Sequence, residues 1–144
     1  MARHLRDDDL DGVLRGSRVV AVLGASARPE RPGYYVPAYL REQGYRIRPV
    51  NPAEAGTRLH DATTVGSLGD VDEPVDVVDV FRRPDQLAAH LPEILAMRPL
   101  PRVVWLQSGI RDDAVADALV AAGIDVVQDR CMLAEHRRRG IGPV

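Results

Sequence analysis

Lysine is missing from this sequence, and all 19 of its basic residues are arginine. That removes Schiff-base chemistry at a lysine amine and rules out the lysine of a P-loop. Cysteine is nearly missing too. With Cys131 alone, neither an internal disulfide nor a cysteine-rich zinc site can form, and a reducing, cytoplasmic compartment fits best. No apolar run approaches the ~20 residues that span a bilayer. The opening MARHLRDDDLDG is charged where a secretion signal needs an apolar stretch. A protein neither secreted nor membrane-embedded is expected. Positive charge is not in excess either: the formal net charge is −2 and the pI about 6.1. No global field would hold a nucleic acid backbone, which argues against such a partner.

What is present is ordinary for a globular chain: 45% hydrophobic and 28% charged residues, with aromatics at 4%. A length of 144 residues suits one domain that buries a core without staples. Residues 1–144 are therefore read as a single domain with short flexible tails. Five short β-branched runs read as strands: Arg18–Leu23, Arg46–Val50, Val75–Val80, Arg102–Leu106 and Asp125–Gln128. They lack long polar alternation, as strands covered on both faces do. Between them, Tyr35–Gln43, Asp85–Met97 and Asp112–Ala122 have helical spacing, with a short turn near Ser67–Val71 and a further helix at Asp8–Arg15. Gly44 and Gly123 stand where left-handed helix caps belong. The alternation predicts an α/β, Rossmann-like, doubly wound parallel sheet, with the strands in the order 3-2-1-4-5.

Polar residues gather at the predicted C-terminal ends of the strands, where ligands of open α/β sheets bind. After the first strand comes Gly24-Ala25-Ser26, then a loop carrying Arg28 and Arg31. Backbone N–H groups and a helix N-terminus there could cradle a phosphate, with the two arginines adding charge. The loop is not the G-x-G-x-x-G fingerprint, because the next glycine after Gly24 is Gly33. The second strand ends at Asn51-Pro52, where an NAD site would want an acidic side chain for the ribose. Asn51 is neutral, so NAD falls behind. The third strand runs into Phe81-Arg82-Arg83, an aromatic surface beside two guanidinium groups suited to phosphate. The fourth and fifth strands deliver Gln107, Gly109, Arg130 and Cys131.

GASARPERP, VNP, VDVFRRP, WLQSGI and DRCM, in this order and spacing, resemble the small bacterial CoA-binding-domain proteins of the YccU-like type. They are also similar to the nucleotide-binding part of the succinyl-CoA synthetase α subunit, over about residues 10–136. The resemblance implies coenzyme A or an acyl-CoA as ligand. It implies Gly24, Ala25, Ser26, Arg28 and Arg31 as the phosphate loop, Asn51 and Pro52 beside the adenosine, and Phe81, Arg82 and Arg83 on the nucleotide's other side. The loop departs from the glycine-rich form of the synthetase, and the synthetase's second domain, which bears its phosphorylated histidine, has no counterpart here.

No catalytic constellation or metal site is legible. The histidines His4, His60, His90 and His136 lack a nucleophile in a recognisable local motif. The acids Asp7-Asp8-Asp9, Asp72-Glu73 and Asp112-Asp113 read as helix N-terminal charges and solvated turns, and Arg137-Arg138-Arg139 reads as a solvated tail. A stand-alone CoA-binding module is the expectation. Its rivals are an NAD(P)-dependent oxidoreductase and a protein-interaction module with a vestigial pocket.

Overall fold

The computed structural model describes residues 1–144. Five parallel strands form the sheet: β1 (Val19–Leu23), β2 (Arg46–Val50), β5 (Val77–Val80), β6 (Val103–Leu106) and β7 (Asp125–Val127). A small antiparallel ribbon of β3 (Arg58–Leu59) and β4 (Ala62–Thr63) stands apart. Helices α1 (Leu10–Gly16), α2 (Pro32–Glu42), α3 (Leu87–Leu95), α4 (Asp113–Ala121) and α5 (Met132–Arg138) cover the sheet.

Every residue of β1, β5 and β6 is buried, because successive side chains enter cores on opposite faces. Val20, Val22, Val77 and Trp105 pack with Leu14, Val36, Leu40 and Met132 of α1, α2 and α5. Val19, Ala21, Val78 and Val104 pack with Leu87, Ile94, Val115 and Leu119 of α3 and α4.

The doubly wound α/β class is as expected, but the third sheet strand lies elsewhere. The observed order is β2-β1-β5-β6-β7, or 2-1-3-4-5 by sheet strand, so β5 lies between β1 and β6 instead of outside β2. Two features keep β2 at the edge. Val65 bridges Val50 on the outer side, donating its N–H to the Pro49 carbonyl at 3.1 Å. The missing N–H of Pro49 therefore falls where no strand needs it, the usual place for a strand proline. Arg46 and Arg48 pair with Glu73, and Arg48 also with Asp72, a charged fringe of the kind that blunts sheet edges.

Helix α2 begins earlier than its apolar spacing suggests, because Pro32 is well suited to the first helical position. It stops just before Gly44, whose φ is +101° and where an added Cβ would lie 2.5 Å from the Val144 carbonyl, leaving no room for a side chain. Asp112 caps α4 by accepting the Val115 N–H at 3.0 Å.

The chain ends are tied to the body. His4 bridges Val126 at the β7 edge, and the Val144 N–H donates to the Gln43 carbonyl at 2.7 Å. The three arginines read as a solvated tail belong instead to α5 and its end. Arg138 and Arg139 bond to Asp7 and Glu135, and Arg139 also to Asp11.

Candidate functional site at the strand ends

β1 delivers the chain to Gly24, whose φ is +91° and whose absent Cβ would lie 2.8 Å from the Phe81 carbonyl. Only glycine fits there. Gly33 closes the same loop, since a Cβ on it would come within 2.9 Å of the Gly24 carbonyl. The amides of Gly24 and Ala25 donate to the Val50 carbonyl, that of Ser26 to the Gly33 carbonyl and that of Arg28 to Ser26 Oγ. Four of the N–H groups expected to face a phosphate are thus engaged within the protein. The loop's outward offer is the exposed side chains of Arg28 and Arg31.

These residues form one wall of a cleft of about 630 Å³. Asn51, Phe81, Arg82 and Arg83 join from the ends of β2 and β5, and Gln107, Gly109 and Cys131 from beyond β6 and β7. The strand register explains the convergence. Leu23 pairs with Val80 and Val80 with Leu106, so Gly24, Phe81 and Gln107 continue the same row past the sheet.

Three expected site residues are placed elsewhere. Ala25 is fully buried, contributing its carbonyl to the Asn51 side chain at 2.8 Å. Pro52 is exposed and starts a 3₁₀ turn outside the cleft wall. Arg130 turns its guanidinium to Asp7 at 2.8 Å and toward Glu135 at 3.5 Å. Its backbone fixes that direction: the Arg130 N–H reaches the Leu106 carbonyl, and its own carbonyl accepts from Trp105 Nε1 at 2.7 Å.

The cleft also takes in residues not singled out from the sequence, including Tyr35, Val36, Ser108 and Ile110. Tyr35 is an exposed aromatic on the first turns of α2. Its place on the rim depends on where α2 begins, which periodicity alone misjudges.

Charge in the cleft is lopsided. Four arginines line it against the single carboxylate of Glu54. Arg83 pairs with Asp85 at 3.4 Å with both side chains largely exposed, whereas Arg28, Arg31 and Arg82 lack any carboxylate partner. Arg82 is half-buried; its Nη2 donates to Asn51 Oδ1 at 3.3 Å while its Nε is buried without a partner. Below the floor, on the same sheet face as Phe81, Asp79 is wholly buried with both oxygens unpaired. Burial pushes its carboxyl well above the usual carboxylate range. None of the histidines lines the cleft. His136 is buried, bonded to Tyr39 Oη at 2.8 Å and the Gly142 carbonyl at 2.9 Å. No group of metal-ligating side chains comes together.

Fold and site together define a doubly wound α/β domain with an arginine-lined cleft across the carboxyl ends of its strands. Residues 18–137 match the family described as the CoA binding domain, and the chain belongs to that family. It is 33% identical over 128 residues to the uncharacterized protein YneT of Bacillus subtilis (strain 168), covering 89% of this chain and 92% of that one. It is similar to the structure of cell-free ID.343 from Thermus thermophilus, with 53% identity, a TM-score of 0.88 and coverage of 93% and 98% of the two chains. A hypothetical protein from Pyrococcus horikoshii OT3 superposes with a TM-score of 0.84 at 30% identity, covering 96% of each chain. No helix is long and apolar enough to cross a membrane.

Proposed function

We propose that the cleft binds coenzyme A or an acyl-CoA, and that the chain works as a CoA-binding module in a reducing cytoplasm. The supporting observation is the set of arginines without carboxylate partners around a cleft that also holds apolar surface from Phe81 and Ile110. Guanidinium groups left uncompensated at a ligand site suit phosphate oxygens, and the apolar wall suits the long uncharged arm of coenzyme A. Membership of the family supports the same ligand. An NAD(P)-dependent oxidoreductase is less favoured, since no acidic side chain ends β2 to hold an unmodified ribose.

The test is a thermal-shift titration of pure protein with coenzyme A, NADP, NAD and ADP. A ligand at 100 times its Kd stabilises the native state by about 2.7 kcal/mol. Coenzyme A is expected to raise Tm most, and a larger shift with NAD would overturn the assignment. Native mass spectrometry of protein straight from the expression host gives an independent check: a bound mass of coenzyme A is expected.

A further inference from the structure

In dinucleotide-binding domains of this architecture, the end of the second strand holds an acidic side chain that takes the ribose hydroxyls. Here that position is Asn51, and its side chain is already engaged. Its Nδ2 donates to the Ala25 carbonyl at 2.8 Å, while its Oδ1 accepts from the Ala53 N–H at 3.0 Å and from Arg82 Nη2 at 3.3 Å. Both amide functions serve the protein. What this corner presents to the cleft is the cation that Asn51 holds.

That cation is prepared for a ligand. Arg82 leaves β5 beside the backbone of Gly24, with its Cδ 3.4 Å from where a Gly24 Cβ would lie. One Nη is fixed by a neutral amide oxygen, and Nε is buried with no partner. A guanidinium so held meets no opposing carboxylate and retains donors able to engage an anion. A carboxylate in place of Asn51 would pair with Arg82 and cancel that charge.

We propose that the corner formed by Asn51 and Arg82 reads a phosphoryl group carried on the ligand's ribose, and that Asn51 sets this preference by holding Arg82 without neutralising it. The proposal rests on the coenzyme A reading and narrows it. Arg82 is the binding group at this corner, and Asn51 is a positioning residue that acts through it. Arg28, Arg31 and Arg83 remain for the rest of the ligand's phosphates. A nucleotide with an unmodified ribose offers no anion to the Arg82 Nη donors that Asn51 leaves free, and a phosphoryl group does.

Coenzyme A and 3′-dephospho-coenzyme A differ by this one phosphoryl group. Each is titrated by calorimetry into the wild type, Asn51→Asp, Arg82→Gln and the double variant, with circular dichroism confirming the fold of each. Wild type should bind coenzyme A at least about tenfold more tightly than the dephospho form, the loss expected when a charge-assisted contact is missing. Asn51→Asp and Arg82→Gln should each erase that difference, and Asn51→Asp should cost nothing further once Arg82 is glutamine. A purely structural role for Asn51 would instead weaken both ligands in both backgrounds.

Equal binding of the two ligands by wild type overturns this proposal and leaves the coenzyme A reading standing. So does a full Asn51→Asp loss that persists beside Arg82→Gln. Absence of binding by either ligand overturns the coenzyme A reading itself. If Asn51→Asp does not fold, Arg82→Gln alone decides: it must abolish the preference for coenzyme A, and a preference that survives overturns the proposal.

Discussion

Arginine serves two opposite purposes in this molecule, and the contrast lies in who its partners are. At α5, Arg138 and Arg139 share Asp7 and Glu135, and Arg139 adds Asp11 at 2.7 Å. Its side chain is only 10% exposed. These charges are spent on docking the last helix against the first. In the cleft, Arg28, Arg31 and Arg82 have no carboxylate to satisfy them, although acidic residues outnumber basic ones in the chain, 21 to 19. One network is closed and contributes to stability; the other is left open, at some cost in self-repulsion, where a ligand can complete it.

The sharpest way to break that contrast is to remove the open set. Replacing Arg28, Arg31, Arg82 and Arg83 together by glutamine should weaken coenzyme A binding by more than about a hundredfold, since charge-assisted hydrogen bonds contribute roughly 1.5–3 kcal/mol each. Tm without ligand should hold or rise. Calorimetry beside a melting curve measures both, and a large fall in Tm would mean that the cleft arginines are structural after all.

The closed set should respond the other way. Arg139→Ala strips one cation from three carboxylates and should cost about 1–3 kcal/mol, a fall of roughly 3–10 °C in Tm for a chain of this size. Affinity for coenzyme A should stay within about twofold of wild type at a temperature where both are folded. A tenfold loss would join α5 to the binding site and erase the distinction.

Paired and unpaired acids should also give opposite pH slopes. Burial opposes the charge of Glu135, but hydrogen bonds from Arg138 and Arg139 outweigh it and hold its carboxyl below the usual range. Its stabilisation is therefore complete above the ordinary glutamate range and is lost as pH falls through the lower folded value. Asp79 is pushed up by burial alone. It stays protonated in the folded chain while the unfolded chain ionises, so stability falls as pH rises above the ordinary aspartate range toward the raised folded value. Melting curves from pH 3 to 8 should show Glu135→Gln flattening the acid limb. Asp79→Asn should raise Tm by a few degrees at neutral pH and lose that advantage near pH 4. A gain with Asp79→Asn that does not change with pH would show that its carboxyl is not held neutral.

The strands were legible because VVAVL, VDVVDV and VVWL are short, β-branched and free of long polar alternation, which suits an interior strand of a covered parallel sheet. The order of the third strand was readable in principle from Pro49, Arg46 and Arg48, which suit an edge and not an interior strand. It was missed because the alternation of strands and helices says how many strands there are, not which one turns back. Helix α5 has only seven residues, too few for a period to stand out beside three consecutive arginines. For the cleft, strand-end residues were predictable because parallel topology gathers them at one edge. Arg130 defeats that rule, since its side-chain direction depends on Asp7, more than a hundred residues away in the chain.

Cys131 gives the smallest expected effect and a direct probe of where the cleft ends. It follows Arg130 at the start of α5 and lines the cleft, while its neighbour's guanidinium is committed to Asp7 and Glu135. The thiol is half-buried, so a maleimide should label it slowly and as the single modified site. If the apolar end of coenzyme A lies along Phe81 toward Cys131, saturating ligand should slow labelling by about fivefold, a protection set by occupancy and access. ADP, which lacks the arm, should protect less. Mass spectrometry of the intact chain over time, with Cys131→Ser as the unlabelled control, reads the rate. Equal protection by ADP and coenzyme A would move the arm to the other side of the cleft, toward Tyr35 and the loop that carries Arg28 and Arg31.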